Sequence, residues 1–120
     1  MNEEIKVEWL AALRSGKYQQ GKSALRIENN FCCLGVLCDL HAKANDKEWC
    51  FRTSHSDYLG CTQFLPNEVS VWAGLPDATT TGYRNAGAFF DDDGKEVFLS
   101  TLNDEGKTFN EIADIIEKRF

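Results

Sequence analysis

Apolar residues recur at Ile5, Trp9, Leu10 and Leu13, the spacing that gathers them on one face of an α-helix. Asn2 ahead of them has the side chain of an N-cap, and Glu3 and Glu4 suit the positive end of a helix. Ser15-Gly16 closes the element as a C-cap does. Further on, Leu25-Arg26-Ile27-Glu28 alternates apolar and charged residues, the period of a short strand, and Asn29-Asn30 marks a turn or the next N-cap. From Phe31 to Leu40 the chain is almost continuously apolar, which suits a buried helix or a buried strand equally. Steps of three and four among Leu34, Leu37, Cys38 and His41, extended by Ala42 and Ala44, favour a helix. Being apolar nearly all round, it is expected at the centre of the core.

Residues 47–52 alternate with period two and predict a strand, followed by a polar loop from Ser54 to Gly60. Pro66 suits the start of a short helix over Asn67–Ala73, ended by Gly74. Pro76 to Asn85 is the longest irregular stretch and a candidate binding loop or lid. Ala88-Phe-Phe90 and Val97-Phe-Leu99 flank Asp91-Asp92-Asp93-Gly94, and Asp-Gly between apolar runs signals a hairpin. Asn103-Asp104-Glu105 reads as loop chemistry. Thr108 and Glu111 then form a capping box opening an amphipathic helix with Phe109, Ile112, Ala113 and Ile116 on one face. The expected fold is α+β: one small domain over residues 1–120, about four helices packed around a short antiparallel sheet and hairpin.

The chain has 120 residues, enough for one hydrophobic core. No apolar run approaches the roughly 20 residues that span a bilayer, and the acidic start lacks the features of a signal peptide. A cytoplasmic protein without membrane contact is therefore expected. Reduced thiols are the default for five cysteines in that compartment. The formal net charge is −6, all of it from residues 61–120. That acidity argues against direct DNA or RNA binding, where phosphate contacts dominate affinity.

Three segments carry a family resemblance: Trp9-Leu-Ala-Ala-Leu13-Arg-Ser15-Gly16-Lys-Tyr18-Gln-Gln20-Gly21; Phe31-Cys32-Cys33-Leu34-Gly35-Val36-Leu37-Cys38-Asp39-Leu40; and Leu102-Asn103-Asp104-Glu-Gly106-Lys-Thr-Phe109-Asn-Glu-Ile112-Ala113-Asp114. In these the chain resembles a family of small, largely uncharacterised proteins found in bacteriophage genomes. The resemblance implies a phage origin, with action in the host cell. It supplies no catalytic residues. Small accessory phage proteins counter host defence by sequestering nucleotide second messengers or by blocking a protein effector, and both become expectations by analogy.

Against the acidic whole, residues 14–26 hold four cations and no anion. Capture of an anionic nucleotide-type ligand needs cationic heads and accessible backbone N–H groups. Arg14, Lys17, Lys22 and Arg26 are the candidates for phosphate, with Gly16 and Gly21 allowing close backbone approach. Tyr18, Tyr83, Arg84 and Asn85 are candidates for base or ribose contacts, and Gln20 offers an amide. The opposing reading makes the same charges a solvated loop that balances the acidic half. Binding without turnover is expected, with no cofactor and with assembly into a homo-oligomer by analogy. In the alternative, Asp91, Asp92, Asp93, Asp104 and Glu105 press an acidic surface against a host defence protein. A zinc site from Cys38-x-x-His41 and a Cys–His nucleophile from Cys50, His55 and Cys61 are both weaker than core packing of Cys32, Cys33 and Cys38. Trp9, Trp49 and Trp72 read as core residues rather than a stacking pocket.

Overall fold

A computed structural model of the chain describes residues 1–76 and 85–120. It is α+β, with five helices, a five-stranded mixed sheet and a two-stranded hairpin. The sequence patterns give α1 (Glu3–Arg14), α2 (Cys33–Asn45), α3 (Asn67–Ala73) and α5 (Phe109–Arg119). Asn2 Oδ1 accepts the Ile5 N–H at 3.1 Å, as its N-cap position requires. Thr108 and Glu111 close the capping box reciprocally at the head of α5. The fifth helix, α4 (Leu99–Asp104), takes in the end of the second hairpin run and the Asn103-Asp104 pair expected in a loop. It is only six residues long and starts directly from strand β7 (Glu96–Phe98) with no side-chain cap, so no start signal announces it.

The strands of the main sheet are two residues each: β1 (Gln19–Gln20), β2 (Arg26–Ile27), β3 (Asn30–Phe31), β4 (Cys50–Phe51) and β5 (Ser56–Asp57), ordered β1-β3-β2-β5-β4. β1 runs parallel to β3 and the other pairs are antiparallel, which makes the sheet mixed where an antiparallel one was expected. β5 lies inside the stretch expected to be a polar loop. Its polar residues are satisfied across the sheet, with Arg52 Nε donating to Asp57 Oδ2 at 2.7 Å. The strand of residues 47–52 shortens to β4. The hairpin forms as expected from β6 (Ala88–Phe90) and β7, and Asp91 Oδ1 accepts the Asp93 and Lys95 N–H groups at 2.9 Å each.

α2 is the centre of the core. Cys33, Leu34, Gly35, Val36, Leu37, Cys38, His41 and Ala42 are all buried, and α1, α3 and α4 pack around it. Trp9 is fully buried and donates its indole N–H to Cys33 O at 3.0 Å, fastening α1 to the first turn of α2. Trp49 and Trp72 are half-buried against the same cluster. Gly35 shows why this sequence tolerates a glycine inside a helix. A Cβ there would sit 1.8 Å from Leu25 O, so α2 reaches the strand backbone only without a side chain.

Candidate functional site

The chain from β1 to β2 crosses the C-terminal end of α4 as a strap, and buried polar side chains hold it there. Asn103, the fifth residue of α4, is fully buried. Its Oδ1 accepts from Gln20 Nε2 at 2.9 Å and from the Cys33 N–H at 3.2 Å, and its Nδ2 donates to Gly21 O at 2.8 Å. Gln20 Nε2 also reaches Lys107 O at 2.7 Å. One residue later, Asp104 Oδ1 accepts the Ser23 N–H at 2.9 Å. Ser23 takes up a positive φ of 70° to present that N–H, a conformation unusual for a residue with a side chain.

A cavity opens on each side of the strap. The first, about 250 Å³, is lined by Arg14, Gly16, Tyr18 and Gln20 on one wall and by Thr108, Phe109 and Asn110 on the other. The second wall is the first turn of α5, whose free N–H groups and dipole give it positive character. The other cavity, about 360 Å³, lies beside Ser23 and Ala24 and abuts Cys32, the N-cap of α2. Burial pushes the Cys32 thiol up to about 11 and Cys33 and Cys38 well above the ordinary range, which keeps these sulfurs protonated and unreactive.

The candidate ligand residues scatter across this framework. Arg14 turns back onto α5, where Nη2 donates to Asp114 Oδ1 at 2.8 Å and Glu117 Oε2 at 2.7 Å. Both bonds raise its pKa. Lys17 and Lys22 are exposed and make no ion pair among the described residues. Tyr18 stands edge-on to Phe31 and donates its O–H to Asp39 Oδ2 at 2.5 Å, while Lys43 Nζ reaches the same hydroxyl at 3.2 Å. Burial first, then the bond to Asp39, lift the phenol above its ordinary value. Burial alone would raise the Asp39 carboxyl too, but bonds from Tyr18, Trp49 and Lys43 outweigh it and hold it low. Tyr18 is thus anchored through both ring and hydroxyl.

Arg26 is separate from that first cavity. Its guanidinium carbon lies 4.7 Å from the Phe31 centroid, 5.4 Å from Trp49 and 4.8 Å from Phe51, and its Nε donates to Glu28 O at 2.7 Å. Asn85 bridges the start of α3, donating to Asn67 Oδ1 at 2.9 Å and accepting from Ser70 Oγ at 3.1 Å. Tyr83 and Arg84 lie outside the described residues. So the structure brings Arg14, Tyr18 and Gln20 to one cavity and sends Arg26 and Asn85 elsewhere.

The Cys/His set does not converge: among the described residues no three His, Cys, Asp or Glu side chains share a point within metal reach. His41 is instead buried between Tyr58, whose hydroxyl lies 2.6 Å from Nδ1, and Glu68, whose Oε2 lies 3.2 Å from Nε2. Sequence reasoning missed Asn103, which organises both cavities. The signal is an Asn-Asp pair directly after Phe98-Leu-Ser-Thr-Leu102, which by itself reads as loop chemistry. No helix among the described residues is long and apolar enough to cross a membrane.

The chain belongs to the family described as Domain of unknown function (DUF8296), whose model matches residues 1–120. No curated protein and no solved structure matches it.

Proposed function

We propose that this is a phage-encoded binding protein that captures an anionic nucleotide-type signalling molecule, without turnover, and so weakens host defence. The observation that carries the reading is the 250 Å³ cavity. There Arg14, Gly16 and the strap meet the positive end of α5 in one place. Lys17, on the same connector, is exposed and makes no ion pair among the described residues. Arg14 already pairs with Asp114 and Glu117, but both carboxylates are largely exposed. Exposed pairs of this kind are weak and screened, so a phosphate arriving beside Asn110 exchanges for them at little cost.

The acidic-inhibitor alternative draws less support, because three of its five residues serve the fold. Asp92 pairs with Arg119 at 2.9 Å, Asp91 holds the hairpin turn, and Asp104 holds the strap.

Native mass spectrometry after incubation with cyclic dinucleotides and ADP-ribose isomers tests the reading. A retained ligand of unchanged mass is expected, weakened about tenfold by Arg14→Gln combined with Lys17→Gln, as loss of charge-assisted bonds implies. Arg26→Gln should leave that affinity alone. No adduct with any member of the panel, or equal affinity in the double variant, rejects it.

A further inference from the structure

The cavity on the far side of the strap has the opposite chemistry. At about 360 Å³ it falls within the size range of small-molecule sites. Its buried floor is Cys32 and Ala86, both almost completely inaccessible, with Phe64 and Phe98 as walls. Polar groups gather at the rim. Ser100 and Thr101 come from the first turn of α4, Asp104 from its last residue, and Gln63 from the segment facing the strap. Among the described residues, Asp104 is the only ionised side chain of the lining, and no lysine, arginine or histidine among them takes part.

That inventory rules on the ligand's charge. A phosphate or carboxylate seated here would meet Asp104 with no cation among the described lining residues to offset it, and like charges repel. A divalent cation would find one carboxylate where it needs several oxygen ligands. What fits is an apolar, flat body against the floor and walls, with N–H donors on one edge. Asp104 is prepared for that edge. Its Oδ1 is held by the Ser23 N–H at 2.9 Å and by Asn103 Nδ2 at 3.5 Å, which fixes the plane of the carboxylate. Its Oδ2 has no hydrogen-bond partner among the described residues. The strained φ of 70° at Ser23 is what sets the strap against this carboxylate.

We propose that this cavity is a second binding site, for an amino-bearing nucleobase whose exocyclic N–H donates to Asp104 Oδ2 while its ring lies on the Cys32–Ala86 floor. Adenine, guanine and cytosine carry such a group. Uracil presents a carbonyl oxygen in its place, and its N3–H is flanked by two carbonyl oxygens that the carboxylate repels, so it binds more weakly. The site shares no lining residue with the cavity at Arg14 and stands whether or not that one binds an anion.

The test is saturation-transfer NMR of the full chain with adenosine, guanosine, cytidine and uridine in turn, followed by amide shift mapping. Nucleosides lack phosphate, so the Arg14 cavity is not probed. Transfer from the three amino-bearing nucleosides is expected, with shifts at the Ser23 and Thr101 amides, and weaker transfer from uridine. Asp104→Asn, which keeps the Oδ1 acceptor but turns a donor toward the ligand, should weaken binding at least tenfold. Gln63→Ala, on the exposed rim, gives a second variant with weakened binding should Asp104→Asn fail to fold. Arg14→Gln should change nothing. Equal binding of uridine, unchanged affinity in both rim variants, no transfer from any nucleoside at millimolar concentration, or shifts produced only by a diamine such as putrescine would each overturn the proposal.

Discussion

Replacing Asn103 by Ala should remove more stability than any other change of a polar side chain in this chain. The side chain is fully buried and uses every hydrogen-bonding valence, towards Gln20, Cys33, Gly21 and Asp104. Gln20 keeps a second acceptor in Lys107 O, and Asp104 is exposed. The loss therefore concentrates on the Cys33 N–H and Gly21 C=O. Each buried group left unpaired costs about 1–3 kcal/mol, so the variant should lose about 3–4 kcal/mol after partial relaxation. That is a large share of the roughly 5–15 kcal/mol that holds a domain of this size. Urea titration followed by tryptophan fluorescence reads it as a lower midpoint with an unchanged slope. Asn103→Asp sharpens the reasoning. It keeps the acceptor for Cys33 and Gln20 but turns a carboxylate against Gly21 O and Asp104. Its folded pKa must then rise above the ordinary value of about 3.9, because only the protonated form donates to Gly21 O. Stability of that variant is therefore greatest below the unfolded pKa and is lost as pH rises through the folded one. A loss under about 1 kcal/mol in Asn103→Ala, or equal stability of Asn103→Asp at pH 4 and pH 7, refutes the argument.

Gly35→Ala should destabilise although alanine is the better helix former by about 1 kcal/mol. The new Cβ would lie 1.8 Å from Leu25 O and 2.7 Å from Leu25 C, backbone that also bonds Cys32 and Thr62. Roughly 3 kcal/mol or more is expected, at the upper end of overpacking, and a more stable alanine variant in thermal melting would contradict the close approach. His41 sets a pH response of the other kind. Burial lowers its pKa below 6.5, Glu68 opposes that, and Lys47 adds to it. Its neutral form accepts the Tyr58 O–H at Nδ1 and turns Nε2–H toward Glu68. Stability tied to His41 is thus fully present above about pH 6.5 and falls as pH drops through the folded pKa. Urea midpoints at pH 7.5, 6.5 and 5.5 should decline for the natural chain and stay flatter in His41→Gln. Parallel declines in both would assign the effect elsewhere.

Much of the fold was legible because its helices are written in local chemistry. The Ile5–Leu13 spacing, the Thr108–Glu111 box and the steps of three and four from Leu34 to His41 each point to a helix with no knowledge of the rest of the chain. The main sheet was legible only in part: alternation marks residues 25–28 and 47–52, which hold β2 and β4, whereas β1, β3 and β5 carry no periodic signal. Ser56–Asp57 is a strand only because Arg26 and Cys50–Phe51 lie beside it. The parallel pairing of β1 with β3 likewise depends on Asn103 drawing the strap across α4, a contact between residues more than 80 positions apart.

The candidate site was half legible for a related reason. Counting charges from 14 to 26 finds cations but not their partners, and Arg14 meets Asp114 across 100 residues. Lys17 and Lys22 keep the exposure the sequence implies, whereas Arg26 finds three aromatic rings contributed by β3, β4 and the residue before β4. The decisive residue was uncharged. Asn103 is buried with its amide fully engaged, so its contribution lies in what would be left unpaired without it. The strap it fixes is the wall between two cavities of opposite character. Arg14 and the positive end of α5 lie on one side, and Asp104 stands at the rim on the other. A loop merely solvating its charges would need neither a buried clamp nor a residue held at positive φ; this one has both, at Asn103 and Ser23. That pairing of a costly anchor with an exposed, charge-bearing surface is the strongest reason to look for ligands along the strap before looking elsewhere on the molecule.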